Sequence, residues 1–152
     1  MTTTEQRRVI RARTGRFNRV IGALLRRGVP IATMQLLTIT GRRSGQPRTT
    51  PVSTFEFEGG RYIMQGFPGA AWVENARAAG TGLLGRGRRR RQVTLTEVPV
   101  EERRAMLRHV ASIAPKRLGR MFVENGLVTG PDPDSFAAAA PAVAVFRVGQ
   151  GS

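Results

Sequence analysis

The sequence has no cysteine, one histidine, one tyrosine, one tryptophan and a single lysine among 152 residues. Without cysteine there is no disulfide framework, no thiolate nucleophile and no cysteine-based zinc or iron–sulfur site. The lone His109 falls in the middle of a helical pattern among arginines. A multi-histidine metal centre is thereby excluded, and a histidine-dependent triad is possible only with this one residue. The ten carboxylates are scattered. Glu56 and Glu58 share one predicted strand face beside the Gly59-Gly60 pair, a pattern that reads as a solvated hairpin edge and not as an acid/base pair. Long apolar runs are also missing: no segment approaches the roughly 18 apolar residues that span a bilayer. The arginine-rich first 28 residues lack the uninterrupted apolar centre of an export signal. These absences predict a cytoplasmic protein with no metal site and no catalytic side chain of its own.

What is abundant is arginine, with 24 of the 25 basic residues and a formal net charge of +15. Such a charge favours anionic partners: nucleic acid, anionic lipid or a polyanionic small molecule. A GC-rich genome would enrich arginine, alanine and glycine together, so charge alone identifies no partner. A hydrophobic content of 40% suffices for one buried core, and a single domain is expected. It divides into an N-terminal basic amphipathic helix, residues 1–29, and a body over residues 30–152. In the first part Val9, Ile10, Phe17, Val20, Ile21, Leu24 and Leu25 recur at helical spacing opposite an arginine face. That helix either packs on the domain or lies on an anionic membrane surface.

Beyond Pro30 the pattern predicts strands at Met34 to Thr40, Arg48 to Phe57 and Arg61 to Gln65, the last two joined by a Gly59-Gly60 turn. A short helix over Ala71 to Ala79 stops at Gly80. Strands over Gly82 to Gly85 and Gln92 to Glu97 are separated by the run RGRRRR, read as a solvated loop. A helix opens at Glu101 and Glu102 and ends at Pro115, with Met106, Leu107, Val110 and Ile113 as its apolar face. Arg117 to Glu124 forms another helix, a Pro/Asp loop follows, and Val143 to Val148 closes the chain as a strand. Pro51 cannot donate to a ladder and is expected at an edge or bulge. Sequential antiparallel strands with a few helices predict an α+β domain, a small barrel with outer helices.

One stretch, TITGRRSGQPRTTP (Thr38–Pro51), concentrates charge at a turn. Gly41 and Gly45 let the backbone approach a ligand and take φ > 0, so that successive N–H groups can face one anion. Ser44 adds a hydroxyl donor, and Arg42, Arg43 and Arg48 each offer a planar fork to phosphate or carboxylate. A solubilising hairpin turn is the competing reading. Further on, FPGAAWVENAR holds the only tryptophan, Trp72, at the start of a short helix. It is either a core residue or a cover for a flat heteroaromatic ring, with Asn75 and Arg77 at hand for polar contacts. Because the chain is poor in acids, bases and nucleophiles, any reaction it runs depends on a cofactor.

These motifs resemble the deazaflavin-dependent, coenzyme F420-dependent nitroreductase-like oxidoreductases of actinobacteria. The likeness runs from LLTITGRRSGQPRTTP through AAWVENARAAG and VTLTEVPVEER to the closing VFRV, about residues 30 to 148. It implies a split β-barrel like that of flavin-mononucleotide-binding proteins, with antiparallel strands and commonly paired as a homodimer. It also implies hydride transfer from reduced F420 to a quinone-, enone- or nitroaromatic-type small molecule. By the same likeness the coenzyme's anionic tail would meet Arg42, Arg43, Ser44, Gly45 and Arg48. Its ring would lie against Pro51, Val52 and Ser53 and the segment Met64, Gln65, Gly66 and Phe67, with Ala71, Trp72 and Asn75 on the other side. The chain departs from the family at Val73, where a tyrosine often stands, and in having Tyr62 alone where relatives use several tyrosines to shape the pocket. Two other readings stay open: the same fold holding FMN or a lipid, and a basic nucleic-acid or anionic-membrane module. Against nucleic acid stands the 6% aromatic content, too little for a stacking platform.

Overall fold

The computed structural model describes residues 34–151. The predicted N-terminal amphipathic helix lies outside the described residues. Ten elements follow in order: β1 (Met34–Thr40), β2 (Pro47–Phe57), β3 (Gly60–Met64), α1 (Ala71–Ala79), β4 (Thr81–Arg86), β5 (Arg89–Glu97), α2 (Val100–Ile113), α3 (Lys116–Glu124), α4 (Pro133–Ala138) and β6 (Val145–Gln150). The strands pair antiparallel in the order β1-β2-β3-β6-β5-β4, and β4 returns to β1 to close a barrel, as the alternation of the sequence leads one to expect.

The period-2 pattern divides the strands into two faces. Leu37, Ile39, Val52, Ile63, Leu84, Val93, Leu95 and Phe146 fill the barrel, and α1 caps one mouth with Trp72, Val73 and Ala76. On the outer face Phe55, Tyr62, Met64 and Val145 are covered by Met106, Leu107 and Val110 of α2, Phe122 of α3 and Phe136 of α4. Ile113, expected on the apolar face of α2, is instead 57% exposed. It stands in the helix's last turn.

Four local expectations are corrected. The β2–β3 turn is centred on Glu58 (φ 48) and Gly59 (φ 80), both left-handed as a type I′ turn requires. Glu58 therefore belongs to the turn and shares no strand face with Glu56. Gly60 pairs with Phe57 in the ladder, and a Cβ there would meet the Tyr62 ring at 2.9 Å. The RGRRRR run is no loop but a two-residue hairpin at Gly87-Arg88, with Arg86 opposite Arg89. Arg86 Nε donates to the Met34 carbonyl (2.9 Å) and Arg90 Nε to that of Gly87 (3.2 Å), so these two guanidinium groups bind main-chain carbonyls. Next, the Pro/Asp loop contains α4. Asp132 caps it by accepting from the Ser135 N–H (3.0 Å) and hydroxyl (2.7 Å), bonds that hold its carboxyl below the usual range, and Pro133 occupies the first turn. The closing strand begins at Val145, two residues later than expected, because Val143 is packed beneath α4's cluster.

Helices and barrel are tied together by Glu97, at the end of β5. The Arg77 guanidinium of α1 donates to both its oxygens, Nε to Oε1 (2.9 Å) and Nη2 to Oε2 (2.7 Å). From α2, Arg103 Nη2 donates to Oε2 at 3.0 Å. Arg103 is 6% exposed and also donates to the carbonyls of Val98 (2.7 Å), Ala140 (3.1 Å) and Val143 (3.4 Å). The hydrogen bonds from Arg77 hold the Glu97 carboxyl below its ordinary value of 4.5, against its partial burial, and the charge of Arg103 adds to the effect.

A depressed carboxyl stabilises the fold at pH values above its ordinary one and ceases to do so as the pH falls through its folded-state value. Glu97→Gln keeps an acceptor oxygen but removes the negative charge facing Arg77 and the buried Arg103, and should lower stability by about 1.5–3 kcal/mol. Arg77→Ala breaks a half-exposed pair and should cost under about 1 kcal/mol. Urea unfolding at pH 7 and pH 3 checks this: the gap between wild type and Glu97→Gln should narrow at the lower pH.

Candidate functional site

The β1–β2 connection folds back on itself before any ligand is considered. Gly41 N–H donates to the Gln46 carbonyl (2.8 Å) and Gly45 N–H to that of Gly41 (2.9 Å), with Gly45 at φ 70. Ser44 Oγ accepts from the Gln46 N–H at 3.2 Å, which leaves the hydroxyl hydrogen for another partner. A Cβ on Gly41 would come within 2.8 Å of that Oγ. Gly41 is thus fixed by side-chain crowding and Gly45 by its backbone angle.

Asn75, 6% exposed on α1, fastens this turn to the barrel. Its Oδ1 accepts from the Arg42 N–H (3.1 Å) and from Arg42 Nη1 (2.9 Å). Between the turn and α1 lies a cleft of about 390 Å³, lined by Arg42, Arg43, Ser44, Arg48, Phe67, Ala71, Trp72 and Asn75, together with Ile39, Gly41 and Thr50. Arg48 stands opposite Ile39 and Thr50 opposite Leu37, so both share the inward face at the barrel's mouth. The first N–H groups of α1 have no side-chain cap, and Ala71 brings them to the cleft wall. No carboxylate lines the cleft, and Arg43 and Arg48 have no hydrogen-bond or ion-pair partner among the described residues. Such a cleft can bind a phosphate or carboxylate group through several forks at once.

Eight of the fifteen candidate residues therefore share one cleft. Gly45 lies at the exposed tip of the turn. Val52 points into the barrel, 3% exposed. Gln65 spends its amide on the backbone, Nε2 donating to the Phe67 carbonyl (2.9 Å) and Oε1 accepting from the Ala144 N–H (3.0 Å). The Gly66 carbonyl accepts from Asn125 Nδ2 at 2.7 Å. Pro51 is half-buried next to Val52. Trp72 is 6% exposed and its ring centroid lies 5.5 Å from that of Phe146, so it belongs to the barrel core and reaches the cleft only at its margin. Arg77, offered as a polar contact beside it, is committed to Glu97 and Glu74. Of the other three lining residues, Gly41 was expected to shape the turn and Thr50 to start the ring-binding wall, while Ile39 was missed; the register of the strand pair across the turn points to both strand residues.

Ser53 and Met64 line a different cavity of about 620 Å³ on the outer face of β2 and β3. Phe55, Val110, Ile113, Ala114, Pro115 and Leu118 make it largely apolar, and His109, Glu56, Arg61 and Arg86 supply its polar groups. The His109 ring also packs on Phe57, with centroids 5.4 Å apart. Tyr62 lines neither cavity: it is buried in the outer core, stacked on Phe55 at 5.6 Å. Among the described residues there is no cluster of His, Asp or Glu able to hold a metal, and no helix is long and apolar enough to cross a membrane.

A family model described as F420H(2)-dependent quinone reductase matches residues 6–120. Among solved structures, a protein related to general stress protein 26, of the pyridoxinephosphate oxidase family of Clostridium acetobutylicum, is similar at TM-score 0.50 and 9% identity. The match covers 86% of this chain and 82% of that one. An F420-H2 dependent reductase is similar at TM-score 0.44 and 21% identity, over 77% and 94%. A protein described as a domain-swapped dimer is similar at TM-score 0.45 and 21% identity, over 86% and 94%. No curated protein matches the chain.

Asn75→Asp should preserve the attachment to Arg42 while neutralising part of the cleft's charge, and Asn75→Ala should release the turn. Titration with inorganic phosphate should show weaker binding for both variants. Thermal unfolding separates them: Asn75→Ala alone should lose about 1–2 kcal/mol of stability.

Proposed function

The chain belongs to the F420H(2)-dependent quinone reductase family, and on that footing we propose that the arginine cleft holds the coenzyme's anionic tail while the apolar cavity admits the acceptor. The protein is an F420-dependent oxidoreductase. The observation that carries the finer reading is the cleft itself: three guanidinium groups and a free hydroxyl hydrogen around one concavity, with no carboxylate among the lining residues.

When bound, the reduced coenzyme supplies a hydride from its deazaflavin ring, so the chain needs no nucleophile. Its own residues bind and orient. Arg43 and Arg48 meet phosphate or carboxylate oxygens, Arg42 is aimed by Asn75, and Ser44 donates its hydroxyl. The ring-binding wall assigned to Pro51, Val52 and Ser53, and to Met64, Gln65, Gly66 and Phe67, would act through backbone groups at Val52, Gln65 and Gly66, whose side chains are absent or engaged elsewhere. Phe67, Ala71 and Trp72 supply the apolar margin. Holding the two reactants at close approach can by itself lower a barrier by about 7–11 kcal/mol.

For the acceptor, a quinone or enone-like molecule suits the apolar cavity of about 620 Å³. Bulky nitroaromatics are the less favoured class, because neither cavity is lined by a tyrosine. FMN is the alternative ligand for the same cleft, since it also carries a phosphate.

A side-by-side titration of F420 and FMN tests the assignment. F420 should bind saturably, and Arg43→Ala and Arg48→Ala should each weaken it by roughly 10- to 100-fold. Absence of F420 binding at micromolar coenzyme, or tighter binding of FMN, would overturn it.

A further inference from the structure

The barrel has a second mouth, at the end away from α1, and it forms a cavity of about 380 Å³. The inward faces of four different strands meet there. Leu37 and Ile39 point inward on β1, so Gln35 does too; Ile63 places Arg61 inward on β3; Val93 places Arg91 inward on β5; and Phe146 and Val148 place Gln150 inward on β6. All four line the cavity, with Arg147 added and Leu84, Val93 and Val148 behind them as an apolar floor.

Every charged side chain in that lining is an arginine. Arg91 and Arg147 have no side-chain hydrogen-bond or ion-pair partner among the described residues. The acidic neighbour, Glu56, is an exposed residue whose Oε1 is 3.9 Å from the Arg61 guanidinium and which lies outside the lining. Two glutamine amides provide further donors. This differs from the other arginines at the same end: Arg86 is bonded to the Met34 carbonyl and Arg90 to that of Gly87.

We propose that this lower mouth is a second ligand site, separate from the cofactor cleft, for a small organic phosphate or carboxylate with a short apolar body. The oxyanion is held by Arg91 and Arg61 with the amides of Gln35 and Gln150, and the apolar part rests on Leu84, Val93 and Val148. Charge-assisted forks on an oxyanion are the strong contacts of such a site, and the buried floor favours a ligand carrying carbon over a bare ion. Apart from Arg61, which also borders the apolar cavity, the lining residues belong to neither of the other two cavities, and the inference does not depend on which cofactor fills the first cleft.

Amide NMR shifts of the full chain, titrated with n-butyl phosphate and in parallel with inorganic phosphate, test it. Saturable shifts are expected at Gly59, Gly60, Gly149 and Gln150, with butyl phosphate binding on the order of tenfold more tightly than phosphate. Arg91→Gln should weaken this binding on the order of tenfold and leave the shifts of the Gly41–Arg48 turn intact. Arg43→Gln should do the reverse. Shifts confined to the Gly41–Arg48 turn, unchanged affinity in Arg91→Gln, or non-saturating drift would overturn the site. Equal affinity for both probes would overturn the assigned ligand class.

Discussion

The Glu97 carboxylate is the point on which the assembly turns. It stands where β5 ends, receives Arg77 from the helix that caps one mouth, and receives Arg103 from the helix that covers the outer sheet. Arg103 then fixes the carbonyl of Val98, just past β5, and those of Ala140 and Val143, in the chain leading into β6. A buried guanidinium is tolerated because all these acceptors are supplied at once, and among the described residues no buried side-chain polar atom lacks a partner. Through Glu97, the placement of α1 is coupled to that of α2, and α1 carries the residue that orients the arginine turn.

Arginine serves two opposite purposes in this chain. Arg77, Arg86, Arg90 and Arg103 are spent on carboxylates and backbone carbonyls, where the planar fork satisfies several acceptors at fixed geometry. Arg43, Arg48, Arg91 and Arg147 have no such partners among the described residues and line cavities. Arg42 stands between the two groups: it is bound to a neutral amide, which aims its charge without cancelling it. Net charge alone does not separate these roles, whereas partners do.

Much of the architecture was legible because alternation and turn residues are local signals. β1 and α1 have the expected limits, and the barrel follows from short connections between sequential strands. The misreadings share a cause: one residue type can satisfy two different needs. Five arginines in six residues look like a solvated loop until Arg86 and Arg90 are seen to grasp main-chain carbonyls. Gly59 and Gly60 look like one turn, but Gly59 supplies a positive φ and Gly60 makes room for the Tyr62 ring. The Asp132-Pro133 start of α4 is a genuine capping signal that surrounding prolines obscured. At the site, the turn's residues were legible from their chemistry, while Ile39 required knowledge of the strand register.

Closure of the barrel also governs how the molecule can meet others. Each strand has a neighbour on both sides over part of its length; residues 89–91 of β5 pair only with β4, and residues 47–52 of β2 pair only with β1, since the β3 ladder begins at Ser53. That one-sided stretch carries Pro47 and Pro51, which lack the N–H that an incoming strand would need. Along β2 the sheet is therefore closed to extension by backbone pairing, and with it to the edge-to-edge growth that seeds aggregation. A partner that meets this edge must recognise side chains, on a surface whose dominant vocabulary is arginine.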